Sequence, residues 1–422
     1  MTTPPSTIAA ETQTKAAIGH RSGTGTFDAL ANRDFRFLLG GTMAANAAMW
    51  VQMIAQGWIV LELTGSSVAL GVISFIRGIA MLVASPFGGL LSDRFDRRLM
   101  MIMATGISAA SASIMTVLVI GGHIQLWQLF LFAALDGALG SVNQPARQAL
   151  VYDVAGPKDL TNAVALQSIG MNIMRLLGPS LGGALIGIAG VGVCFAVQAI
   201  FYVLSVIVSL QIRTRPARSI RMASLAESVL GGFRYARRHR SIMLLLLVAA
   251  LPSLLVYPYM SFMPLFSQDV LGADAFWYGV LITAVGLGSI AGALIAAGRA
   301  TGFPRKGPAM LAMAMLYAGM VGVFALSHWY LLSYALLVVA GFANSINLTL
   351  NSSLVQFSTS DEYRGRVSGL YFMTGGLQPF GSLAMGGMIA LAGLQPTVAA
   401  FCFAAVAATL LLWLLSPTLR RM

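Results

Sequence analysis

Apolar stretches long enough to bridge a bilayer recur along the whole of this 422-residue chain, and no other feature constrains its fold as strongly. A membrane-crossing helix needs about 20 apolar residues. Cutting wherever charge, Gly/Pro or polar clusters intervene leaves twelve candidate spans. They cover roughly 37–61, 68–91, 99–121, 126–146, 163–187 and 192–211, then 242–266, 276–297, 308–326, 330–353, 367–391 and 397–416. Composition agrees, with 57% hydrophobic and only 9% charged residues, where soluble chains carry about 25% charged. A water-soluble fold is excluded. The net charge of +12 would suit nucleic acid, but such a binder needs an exposed basic face that this composition does not provide. The expectation is an all-α membrane protein with twelve transmembrane helices in two six-helix bundles.

Loops facing the cytoplasm collect Lys and Arg. Of the 26 Lys and Arg residues, all but Arg77 and Arg175 fall in the N-terminal tail, after even-numbered spans, or at the C-terminus. This pattern predicts a multi-pass plasma (inner) membrane protein with both termini cytoplasmic. It also predicts a disordered tail over 1–34, bundles over 35–212 and 241–422, and a basic linker over 213–240. That linker carries Arg213, Arg215, Arg218, Arg221, Arg234, Arg237, Arg238 and Arg240. It is expected to lie on the anionic leaflet, with 225–235 as either a short interfacial helix or a solvated stretch. A shift of 204 positions lays Asn143 on Asn347, Leu166 on Leu370 and Gly182–Gly183 on Gly386–Gly387, the trace of a parallel repeat.

Catalytic and cofactor signals are missing from the sequence. Cys194 and Cys402 sit inside apolar runs, and His20, His123, His239 and His328 have no metal-ligand neighbours. No phosphate-binding Gly-x-x-x-x-Gly-Lys-Ser/Thr loop is present. The expectation is therefore no enzyme, no metal and no cofactor, and no ATP-driven pumping.

After the second span the chain reads Gly89-Leu-Leu-Ser-Asp93-Arg94-Phe95-Asp96-Arg97-Arg98. This alternation of acid and base resembles the loop signature of the major facilitator superfamily, Gly-x-x-x-Asp-Arg/Lys-x-Gly-Arg-Arg/Lys. Asp96 stands where that family usually has Gly, at a turn where a left-handed backbone would disfavour Asp. The resemblance implies a gating latch between Asp93 and the start of span 11, at Arg364 to Val367, with Arg94, Arg97, Arg98 and Arg366 in the same set. A carboxylate is stabilised near a helix N-terminus and by nearby Arg. The alternative is that these charges only keep the loop out of the membrane.

Gly178-Pro179-Ser-Leu-Gly182-Gly183 resembles the core of a motif that marks proton-linked drug antiporters of the superfamily. It predicts a close, kinked helix contact. Leu63-Thr-Gly-Ser-Ser67, Ser92 to Arg98, Pro145-Ala-Arg-Gln148 and Arg364-Gly-Arg-Val367 resemble its enterobactin-exporter-like branch. The resemblance covers nearly all of 35–416. It implies a secondary transporter exporting a small organic molecule (drug, siderophore or metabolite) by proton antiport with alternating access. An importer or facilitator of the same fold is the alternative, while a receptor would need a soluble domain.

Arg77, Asp136 and Arg175 fall near the middle of spans 2, 4 and 5. A charge at that depth costs at least about 2.5–3.5 kcal/mol, so it normally faces a wet cavity or a partner. Asp136 is the one carboxylate there and the candidate proton carrier. A dry site favours a neutral carboxyl and a neighbouring Arg an ionised one, so a change of surroundings could move the proton. The alternative is a permanent ion pair with Arg77 or Arg175. Pairing one Asp with one Arg leaves a positive cavity, suited to anionic substrates. Asn46, Gln52 and Gln56, the helical stripe Asn344, Asn347 and Asn351, and Asn143, Tyr257 and Gln378 are candidate cavity residues or interhelical hydrogen-bond partners. The expected partners are a small molecule and membrane lipid, without nucleic acid, and the expected state is a monomer.

Overall fold

A backbone in lipid must satisfy its own hydrogen bonds, which leaves helices or closed barrels. Helices are used here, and no strand occurs among the described residues. The computed structural model describes residues 28–213, 225–298 and 305–421, except the side chains at 28, 86–94, 157–158, 225–230, 297–298 and 421. The first group of helices is α1 (Arg33–Thr64), α2 (Ser67–Arg94), α3 (Arg97–Ile120), α4 (Leu126–Ala189) and α5 (Val191–Ser209). A connecting helix α6 (Leu225–Arg238) leads into α7 (Arg240–Leu255), α8 (Ala275–Gly298), α9 (Lys306–Ala325) and α10 (Tyr330–Phe357). Last come α11 (Arg364–Met373), α12 (Gln378–Ala392) and α13 (Leu394–Leu415).

Ten helical segments among the described residues are long and apolar enough to cross a membrane. The two further spans expected at 126–146 and 367–391 are helical without meeting that measure. The first is diluted by Asp136, Ser141, Asn143 and Gln144, and the second is interrupted by a 3-10 turn at Thr374–Leu377.

Several local expectations need correction. Residues 28–34 are not a disordered tail. Asp28–Ala31 forms a 3-10 turn, Ala29 is buried, and its N–H donates to Asn162 Oδ1 at 3.2 Å. Asn32 caps α1 by accepting from Asp34 and Phe35 N–H, and its own amide donates to Val154 O at 2.9 Å. Residues 1–27 lie outside those described. The stretch 147–162 is helix rather than loop: α4 continues through it and breaks only at Gly156 (φ 67°, ψ 172°). That left-handed φ suits Gly, and Pro157 then restarts the helix with its preset φ. The break thus falls at Gly156, while Pro179 keeps helical φ and ψ. Span 7 is also irregular: α7 ends at Leu255 and gives way to a 3-10 stretch, Tyr257–Phe262. Pro252, Pro258 and Pro264 each remove a backbone donor there.

Helices α1, α3 and α5 pack around α4 and α2, while α7, α9, α10 and α13 pack together with α8 and α12. Between the groups, α2 meets α12 and α4 meets α8. Both contacts depend on glycine at the ends near the 64–67, 189–191, 270–275 and 392–394 turns. A Cβ at Gly71 would lie 2.7 Å from Ser382 O, and one at Gly183 2.5 Å from Ala275 O. Ser67 Oγ donates to Gly386 O at 3.2 Å across the same seam. Apolar side chains fill the rest of that end, with Trp58 of α1 stacked on Tyr278 of α8 at 6.3 Å.

Candidate functional site

Asp136, Asn143 and Arg147 are spaced seven and four apart on α4 and so share one helical face. Gly137 lies against the backbone carbonyl of Arg77, where a Cβ would collide. That close approach of α2 to α4 brings the Arg77 guanidinium to 3.1 Å from Asp136 Oδ2, with side chains 35% and 16% exposed. The contact has ion-pair distance, but Oδ2 receives no hydrogen bond of good alignment. One turn pair further along, Asn143 donates to Thr105 Oγ1 at 3.0 Å. Its Oδ1 accepts from Arg147 Nε and Nη2 at 3.3 and 3.2 Å. Arg147 was expected in a loop; it is instead buried, and its Nη1 has no partner among the described residues. Tyr202 of α5 donates to Gln52 Oε1 at 3.4 Å.

Arg175 takes no part in this pair. Its guanidinium lies 5.8 Å from the Trp50 ring and forms no ion pair among the described residues. Gly178 allows the arrangement, because a Cβ there would sit 2.5 Å from Trp50 Cβ. Gly182 packs on Ile54, and Gly183 and the Pro179 carbonyl meet α8 at Ala275 and Gly279. The glycine-proline segment is thus in contact with α1 on one side and α8 on the other.

In the second half a cavity of about 230 Å³ opens where two interrupted helices meet. Gly381 of α12 rests on the Leu254 carbonyl and Pro258, so the break after α7 and the Thr374–Leu377 turn form adjoining walls. Lining residues include Ser253, Tyr257, Asn344, Asn347, Tyr371 and Gln378. Tyr257 Oη donates to Asn344 Oδ1 at 2.9 Å. Asn347 donates to Met310 O at 2.9 Å and Asn351 to Leu245 O at 3.3 Å, so these two tie α10 to its neighbours while lining the cavity. Asn351 Oδ1 is buried without a partner among the described residues. Among the described residues no Asp, Glu, Lys or Arg lines this space.

The polar candidates thus separate. Tyr257, Asn344, Asn347 and Gln378 line the cavity. Asn46 turns back to Thr42 O at 2.8 Å, Gln52 and Gln56 are buried, and Asn143 serves Arg147. Sequence reasoning missed Ser253, Tyr371 and Thr374 as lining residues, because short polar or aromatic side chains in an apolar run carry no periodic signal. The Gly375–Gly376 pair within the 3-10 turn was the available clue.

Against known proteins, the chain matches the transmembrane secretion effector family over residues 24–420. The chain belongs to this family of major facilitator transporters. It is 24% identical over 350 residues to the staphyloferrin A transporter of Staphylococcus aureus, covering 80% of this chain and 84% of that one. To the enterobactin exporter EntS of Shigella flexneri it is 24% identical over 362 residues, covering 85% and 86%. Among solved structures, the nucleoside transporter NupG superposes with a TM-score of 0.73 at 13% identity, covering 90% of this chain and 98% of that one. The peptide transporter POT bound to sulfate gives a TM-score of 0.73 at 14% identity, covering 92% and 95%. The protein is a multi-pass membrane transporter of small molecules rather than an enzyme.

Within the facilitator loop signature, the side chains of Gly89, Asp93 and Arg94 lie outside those described, and the expected Asp93 latch with them. Asp96 needs no left-handed backbone. At φ −60° and ψ 115° it is the N-cap of α3, accepting from Arg98 N–H at 2.8 Å and Leu99 N–H at 3.4 Å. An Asp cap substitutes readily for Gly at this position. Arg97 Nη1 donates to both carboxylate oxygens of Asp153, at 3.1 and 3.0 Å. Arg98 donates to Leu210 O at 2.7 Å, past the C-terminus of α5, where a cation complements the helix dipole. On the other half Arg364 pairs with Asp361, and the Arg366 guanidinium lies 5.3 Å from the Tyr363 ring.

Proposed function

We propose that this protein exports a small anionic organic molecule of the siderophore class by proton antiport, through alternating access between two six-helix bundles. In this reading all twelve crossings operate as a monomer, in the inner membrane with both termini cytoplasmic, and need no cofactor beyond the proton gradient. The observation that carries it is the Arg77–Asp136 pair, which this reading sets at bilayer depth. Its contact is close but poorly aligned, so the carboxyl can exchange Arg77 for a proton when the halves move. The pair is neutral, so Arg175 leaves the first half with a net cation opposite a neutral, hydrogen-bonding cavity. That combination favours ligands with an acidic group and several hydroxyl or carbonyl oxygens. The relatives named for staphyloferrin A and enterobactin support the siderophore class.

The glycine seams α2–α12 and α4–α8 lie at the external end in this orientation. The exit is therefore closed here, and export requires those seams to part while the Asp93 latch forms at the opposite end. Everted vesicles test the reading. A panel of siderophores, dyes and matched anionic and cationic analogues is offered with the interior acid or pH-matched. Accumulation of the anionic compounds only with an acid interior is the expected result. Preference for the cations, or uptake indifferent to the gradient, refutes it.

A further inference from the structure

The segment joining the two halves ends in a helix with two unlike faces. On α6, Gly232 and Ala236 are buried, while Phe233, Arg234, Arg237 and Arg238 are exposed, followed by exposed Arg240 at the start of α7. None of these four arginines is in an ion pair among the described residues. Only His239 separates α6 from the apolar crossing that begins at Arg240, so the outward face of α6 sits at the level of the lipid headgroups. An exposed Phe among unpaired Arg is the pattern of an interfacial helix. Guanidinium forks suit phosphate oxygens.

The inward face is joined to the cavity. The His239 ring lies 4.1 Å from that of Tyr235, tilted by 32°, and Tyr235 stacks on Tyr363 at 4.3 Å with an 8° interplanar angle. The guanidinium of Arg366 lies 5.3 Å from the Tyr363 ring. Tyr235 Oη also donates to Ser360 Oγ at 3.2 Å and accepts from Ser360 N–H at 3.3 Å. Gly232 permits this seating, because a Cβ there would press on Arg366 O at 3.1 Å. Arg366 belongs to the first turn of α11, and Tyr371 of the cavity wall lies about 7.5 Å further along the same helix.

We propose that the outward face of α6 binds anionic phospholipid, and that the Tyr235–Tyr363–Arg366 stack passes this occupancy to the α11 wall of the cavity. A lipid that draws Arg234, Arg237 and Arg238 toward the headgroups shifts α6, and the stacked rings carry the first turn of α11 with it. The inference does not depend on what is transported, so its test uses no substrate.

The full chain carrying Thr374→Cys is placed in nanodiscs of phosphatidylcholine, alone or with about 30% phosphatidylglycerol, a content that gives the disc an anionic surface. Labelling of this cysteine by a water-soluble maleimide reports access to the cavity; Cys194 and Cys402 are buried. Lipid retention is read separately by native mass spectrometry. The expected result is a labelling rate that changes severalfold with phosphatidylglycerol, and selective retention of that lipid. Combined Arg234→Gln, Arg237→Gln and Arg238→Gln should weaken retention on the order of 100-fold and remove the labelling response. Tyr363→Ala should keep retention and lose the response. Equal retention of both lipids by the unsubstituted arginine face overturns the proposal without any variant. So does a labelling response to lipid that survives Tyr363→Ala, or one reproduced in phosphatidylcholine discs by soluble glycerol phosphate.

Discussion

The two halves meet the interior with different chemistry. The first presents charge: an Asp136–Arg77 pair, an Arg175 held over Trp50, and a buried Arg147 that donates to Asn143. The second presents amides, hydroxyls and phenols around a cavity with no Asp, Glu, Lys or Arg in its lining. A buried charge is costly unless paired, whereas a neutral hydrogen bond between membrane helices is worth well under about 2 kcal/mol. Charged groups can therefore drive a change of state, and neutral ones can recognise a ligand without locking the halves together. In the proposed function the first half couples and the second half selects.

The largest expected difference follows from Asp136→Asn. If one proton exchanges per substrate, each unit of pH difference supports roughly tenfold accumulation. The substitution should abolish this in everted vesicles and spare downhill movement. Tyr257→Phe, in the second half, should leave the accumulation ratio at saturating substrate unchanged. Coupled transport surviving Asp136→Asn would remove the division of labour altogether.

Next in size is Arg175→Gln. A charge-assisted hydrogen bond contributes about 1.5–3 kcal/mol, so the apparent affinity for an anionic substrate should fall roughly 10- to 100-fold. A neutral analogue should be far less affected, and equal losses for the two would make Arg175 a packing residue. Tyr257→Phe removes a neutral bond to Asn344 and should weaken substrate affinity about 3- to 10-fold, read from the KM of transport.

The smallest effect is expected for Asn351→Leu. The residue loses one interhelical bond to Leu245 O, while a buried oxygen without a partner disappears. Thermal unfolding in detergent should report a change below about 1 kcal/mol. A larger loss would mean that the α7–α10 contact depends on this amide, and that the second half is held together more as the first is.

Much of the fold was legible because lipid imposes a simple rule on sequence. Apolar runs of sufficient length announce crossings, and the facilitator loop signature carries the family. Local breaks were less legible. The chain breaks at Gly156, within the 147–162 stretch that reads as a loop, since a positive φ interrupts a helix that a proline such as Pro179 can merely bend. Residues 28–32 read as tail because they are few and mixed. Their order comes from Asn162 and Val154, more than 120 positions away. Arg147 read as a loop cation, and only the continuation of α4 past it reveals the burial.

By itself the sequence determined that the chain is a helical membrane transporter of the major facilitator type, and it put Arg77, Asp136 and Arg175 near the middle of expected spans. Helical period says which residues share a face. It does not say which helix lies opposite. The tertiary structure decided that Asp136 meets Arg77 rather than Arg175, because Gly137 lets α2 come against α4 while Gly178 seats Trp50 beside Arg175. It also decided that Tyr257 and Asn344 face the cavity while Asn46 and Gln52 do not. Such choices depend on how closely two backbones approach, and that distance is set by the packing of both partners together.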